Sequence, residues 1–72
     1  MTGQEFRTIR FKLGLSGLDW GRALGYSGEP NSVRNQIRRY EVPQGRKIPP
    51  PIERLAWMYF QYGVPERFRP HR

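Results

Sequence analysis

Residues 16–41, SGLDWGRALGYSGEPNSVRNQIRRYE, hold two helical patterns separated by turn chemistry, and the rest of the chain is read around them. Ser16 offers an N-cap hydroxyl and Asp19 a first-turn carboxylate, after which Trp20, Ala23 and Leu24 share one face before Gly25. The predicted helix is short. Gly21 inside it costs roughly 1 kcal/mol against Ala, which points to a position where another helix comes close. Tyr26-Ser27-Gly28-Glu29-Pro30 is loop sequence, and Pro30 suits the first turn of a new helix, where its missing N–H is not needed. From Pro30 to about Tyr40, the residues Val33, Ile37 and Tyr40 recur at i, i+4 and i+7 as a narrow apolar stripe. Asn31, Arg34, Asn35, Arg38 and Arg39 project from the opposite arc.

On the N-terminal side, Phe6, Ile9 and Leu13 at i, i+3 and i+7 predict a helix over residues 2–13, with Thr2 and Glu5 at capping-box spacing and Gly14 as its stop. On the C-terminal side, Val42 to Pro51 carries four prolines and Gly45, which excludes regular helix and leaves a rigid connection presenting Arg46 and Lys47. A fourth helix from about Pro50 to Tyr62 puts Ile52, Leu55, Ala56 and Tyr59 on a core face. Trp57, Met58, Phe60 and Tyr62 widen its apolar arc beyond what one small core requires. The division is a domain over residues 1–63 and a basic, proline-containing, irregular tail over residues 64–72.

A chain of 72 residues has room for one domain with a marginal core. Its 13 Lys+Arg against 6 Asp+Glu leave a net charge of +7. Residues 1–36 carry 5 basic and 3 acidic groups and residues 37–72 carry 8 and 3, so the surplus sits in the second half. Eleven of the 13 cations are Arg, the side chain that grips phosphate or guanine in a bidentate way. An acidic polymer is the partner this composition favours. There is no cysteine to make a disulfide or thiolate metal site, and His71 stands alone, so neither a metal nor a cofactor is expected. The carboxylates are too scattered for an acid/base pair, and no Gly-rich phosphate loop with a following Lys-Ser/Thr occurs, so neither catalysis nor a small-molecule substrate is expected. Nothing resembles a membrane span or signal peptide, which predicts a soluble, cytoplasmic protein.

A short helix linked by a glycine-containing turn to a longer one with a polar, basic outer face describes a helix-turn-helix. The fold expected is all-α, a compact four- to five-helix bundle with a lengthened turn before the recognition helix. Arg10, Gly14, Leu15, Ser16, Leu24 and Gly25, followed by Ile37-Arg38-Arg39-Tyr40-Glu41 and Gly45, resemble the Cro/C1-type, or Xre-type, family of bacterial and phage repressors. The resemblance runs from Gly3 to about Gly63. It implies that helix two lies over the DNA backbone, that helix three enters the major groove, and that Arg10 makes a structural ion pair with Glu41. Trp20 and Gly21 stand where the family usually has leucine and alanine at the crossing of helices two and three. Two departures stand out. Gly17 replaces a glutamine that often touches phosphate, and the stretch from Ser27 to Ile37 is about six residues longer than the family's connection.

The chemistry of the groups assigns base reading to Asn31, Arg34, Asn35 and Arg38, through guanine O6/N7 for arginine and adenine N6/N7 for asparagine. Ser16, Ser32, Arg39, Arg46 and Lys47 suit the phosphate backbone. The bland reading of each is a solvated helical face or a solubilised proline loop. Trp57, Met58, Phe60 and Tyr62 are expected to form a homodimer interface, matching an inverted repeat with half-sites about 34 Å apart. The function this implies is a sequence-specific double-stranded DNA-binding regulator of the bacterial cytoplasm or nucleoid, most simply a small autorepressor from a phage or mobile element. Anti-CRISPR-associated and toxin–antitoxin settings both fit. The alternatives are a helical protein-interaction module, antitoxin-like or a regulatory adaptor, and an RNA binder, which the core spacing of the aromatics disfavours.

Overall fold

The first helix starts at the expected capping box. Thr2 Oγ1 accepts from the Glu5 amide at 3.0 Å while Glu5 Oε1 accepts from the Thr2 amide at 2.8 Å, and α1 runs Gly3–Lys12 in the computed structural model, which describes residues 1–69. His71 and Arg72 of the tail lie outside the described residues. Ser16 Oγ accepts from the Asp19 amide at 3.1 Å and opens α2, Gly17–Ala23. The third helix, α3, spans Pro30–Glu41, and α4 spans Pro50–Tyr62 with prolines in its first turn, where no amide donor is required. Among the described residues the chain is all-helical, without a strand, and no helix is long and apolar enough to cross a membrane.

Six residues, 24–29, join α2 to α3, more than the roughly 3–4 of a tight helix-turn-helix connection. The tail departs from the irregular segment expected of it. Val64 is buried, Glu66–Phe68 form a single 3-10 turn, and Arg69 Nε donates to the Val64 carbonyl at 2.8 Å. One such turn has too little length to leave a periodic signature in sequence.

Phe6, Trp20, Val33 and Ile37 are the largest fully buried side chains. The Trp20 ring meets Phe6 at 5.4 Å and Tyr59 at 6.1 Å between centroids, and Phe6 meets Tyr40 edge-on at 5.9 Å. Among the described residues the Trp20 indole N–H finds no hydrogen-bond partner. Tyr59 Oη donates to the Ala23 carbonyl at 2.7 Å, tying α4 to the end of α2, and burial raises the pKa of its phenol. Ile48, alone among the connection's prolines, turns into the same core. A radius of gyration of 11.1 Å equals what a compact chain of this length has, about 11 Å.

A close approach between elements lies where α2 crosses α3. A Cβ on Gly21 would stand 2.5 Å from Val33 Cγ1 and 3.1 Å from Ile37 Cγ1, so only glycine lets the two backbones reach this separation. Elsewhere in a helix Gly→Ala stabilises by about 1 kcal/mol. Here Gly21→Ala is expected to destabilise by about 1–3 kcal/mol through overpacking, lowering the melting temperature by several degrees. An unchanged or raised melting temperature would show that α2 and α3 do not meet at this point.

Candidate nucleic-acid interface

The outward face of α3 is fixed by what its inward face buries. Val33, Ile37 and Tyr40 sit in the core. Tyr40 Oη lies 2.7 Å from Tyr26 Oη and accepts from Gln36 Nε2 at 3.0 Å. Burial, with the hydrogen bond to Tyr40, pushes the Tyr26 phenol up to about 12. At the C-terminal end, Arg10 Nε donates to Glu41 Oε2 at 2.7 Å and Arg10 Nη2 to Glu41 Oε1 at 3.0 Å, a two-pronged pair whose third arm, Nη1, reaches the Leu15 carbonyl at 3.3 Å. Both charged side chains are mostly covered, so the pair locks the last turn of α3 onto the end of α1.

With the stripe held inward, Asn31, Asn35, Arg38 and Val42 fall at i, i+4, i+7 and i+11 along one exposed row, flanked by Arg34 and Arg39. Arg34 Nη1 donates to Asn31 Oδ1 at 3.1 Å. Asn35, Arg38, Arg39 and Val42 line a shallow depression of about 300 Å³. The following loop folds back against this end of the helix. The Arg46 amide donates to the Arg39 carbonyl at 2.9 Å, and Gly45 lies so near that carbonyl that a Cβ there has no room. Arg46 and Lys47 are thereby carried to the same end, both exposed. Among the described residues, the side chains of Asn35, Arg38, Arg39, Arg46 and Lys47 make no hydrogen bond or ion pair.

Four of the six acids are engaged elsewhere. Glu5 caps α1, Glu41 holds Arg10, and Glu53 accepts from the amino terminus of Met1 at 2.9 Å. Glu29 caps α3, accepting from the Asn31 and Ser32 amides at 3.1 Å each and from Ser32 Oγ at 3.3 Å. The amide and hydroxyl of Ser32, expected at the phosphate backbone, are both turned onto Glu29. Ser16 Oγ likewise serves as the cap of α2. Sequence reasoning missed Glu29 because glutamate is not among the preferred capping residues; its one signal is a carboxylate directly before a proline at the first helical position.

The four α4 residues expected at a dimer interface are exposed: Trp57 by 40%, Met58 by 55%, Phe60 by 42% and Tyr62 by 77%. They form two flanks. Trp57 and Phe60 touch edge to face at 6.1 Å, with Lys12 Nζ 5.4 Å from the Phe60 ring, and with Thr8 and Ile9 of α1 they line an open groove of about 340 Å³. Met58 and Tyr62, at i and i+4, lie on the other flank, with the exposed Arg54 and Gln61 between. No protein-family model, curated protein or solved structure matches the chain. The functional reading therefore rests on these residues and their geometry.

Hydrogen bonds from the Asn31 amide, then from Ser32, hold the Glu29 carboxyl below its ordinary value of 4.5. A group with a depressed folded-state pKa stabilises the fold above its unfolded value and loses that contribution as pH falls through the folded one. The amide resonances of Asn31 and Ser32 are expected to titrate together with a midpoint below 4.5, and Glu29→Gln to abolish the transition. A midpoint at or above 4.5 would remove the cap.

Proposed function

We propose that the chain is a sequence-specific double-stranded DNA-binding regulator, a small repressor of the helix-turn-helix kind that acts as a twofold dimer on an inverted repeat. The observation that carries this reading is the outer arc of α3, where Asn35, Arg38 and Arg39 stand exposed without an ion pair while Glu5, Glu29 and Glu41 serve caps and a structural pair. Arginine and asparagine in one row match the guanine and adenine edges of the major groove, and Arg39, Arg46 and Lys47 at the end of that row match the phosphates beside it. In this reading α2 and α3, joined by six residues, are the two helices of the motif. Repression in this reading works through steric exclusion of polymerase. The phage or mobile-element setting remains part of this proposal.

Binding should weaken steeply with added salt and keep a preference for one sequence over random duplex. Arg38→Ala is expected to relax that preference by about 1–3 kcal/mol at one position, whereas Lys47→Ala should weaken binding evenly on all sequences and lower the salt slope by about 1. Equal losses for both variants on selected and random duplex would count against base reading.

The dimer part of the proposal draws on the aromatic flank of Trp57 and Phe60 beside the α1 groove, apolar surface that a single chain leaves open to water. Trp57→Glu should give a folded monomer with poor affinity for an inverted repeat. Sedimentation showing the same mass for variant and parent would exclude this interface. A chain that binds another protein through the groove and shows no duplex preference would instead be an interaction module.

A further inference from the structure

Val42 is an apolar side chain left 42% exposed among groups that hydrogen-bond bases. It stands at the C-cap of α3 with φ −76 and ψ 147, and shares the depression with Asn35, Arg38 and Arg39. Its backbone is held on both sides. The Val42 amide donates to the Arg38 carbonyl at 3.2 Å and its carbonyl accepts from the Gly45 amide at 3.0 Å. Gly45 also packs directly on the side chain, since a Cβ there would lie 2.7 Å from Val42 Cγ2. A β-branched side chain is stiff at χ1, so the exposed methyl has a fixed direction between an asparagine and two arginines. The opposite end of α3 differs in kind. There Glu29 fills the first amides and brings negative charge, and Asn31 Oδ1 is engaged by Arg34.

We propose that the C-terminal half of α3 is the reading end of the helix and that Val42 packs against the C5-methyl group of a thymine. The thymine methyl is the one apolar group on a base pair's major-groove edge, and Val42 is the one apolar side chain lining the depression. Asn35 and Arg38 then address the base edges on either side while Arg39, Arg46 and Lys47 neutralise phosphate. This inference rests on the DNA reading proposed above and assigns a residue and a base feature within it.

The test uses the duplex that the full chain itself enriches from a random-sequence pool, with each thymine replaced in turn by deoxyuridine, which lacks only the methyl group. One thymine in each half-site is expected where the replacement weakens binding by about fourfold, the effect of one buried methyl, and where Val42→Ala binds both duplexes equally. Thermal melting confirms that this exposed variant is folded. The inference is overturned if Val42→Ala keeps every thymine discrimination of the parent, or if the parent is indifferent to deoxyuridine throughout. It is also overturned, with DNA reading intact, if Asn31→Ala relaxes the enriched sequence and Asn35→Ala does not. A chain that enriches no sequence fails the DNA reading itself, and Val42's role with it.

Discussion

The missing side chain at Gly21 sets how near α2 comes to α3, and that contact fixes which face of α3 turns outward. Val33 and Ile37 press into the space a Cβ would occupy, which turns the stripe of α3 inward and leaves it one azimuth. The neighbouring residue, Trp20, is the largest filler of the core and reaches both Phe6 of α1 and Tyr59 of α4. One turn of α2 therefore supplies both the close approach and the ring around which the other helices gather. Once Val33, Ile37 and Tyr40 are inside, Asn31, Asn35 and Arg38 have nowhere to go but outward.

Electrostatics refine this placement. The pair between Arg10 and Glu41 pins the last turn of α3 where an acid would otherwise lie in the positive field of Arg38, Arg39 and Arg46. At the first turn, Glu29 completes the helix by satisfying amides that a phosphate would otherwise occupy. The helix thus carries a charge gradient, acidic at its start and basic at its end and in the loop beyond. The net charge of +7 is in consequence not a diffuse property of the surface. Much of it converges on one end of one helix.

The four helices were legible because each pairs a strong apolar period with a cap or a proline. Gly21 was legible from its cost in a helix interior, which demands a packing reason. The partnership of Arg10 with Glu41, 31 positions apart, was visible only through the family resemblance, since no local rule links such distant residues. Other features left little signal. Glu29 as a cap runs against residue preference, Ile48 is a single hydrophobe in a proline-rich connection, and the 3-10 turn is shorter than any period. Val42 reads as one more apolar residue at a helix end; only the fold of the loop through Gly45 reveals that it faces water. The aromatic excess of α4 was readable as an amount, but its division into two flanks depends on where the core lies.

That division bears on how one small chain serves two surfaces. The first helix packs against both α3 and α4, while α3 and α4 meet each other far less. The groove beside Trp57 and Phe60 is shared by α1 and α4, and the polar row belongs to α3 and the loop after it. A second copy seated on the Trp57 flank would cover apolar surface without covering the asparagines and arginines, and a duplex against α3 would leave the groove untouched. With α1 between them, its start joined to α4 by the Met1 amino terminus and Glu53 and its last turn to α3 by Arg10 and Glu41, the two surfaces are held in a fixed relation. The proposed twofold pair would have to present its two α3 helices at one helical repeat of DNA, and that fixed relation is the property it would need.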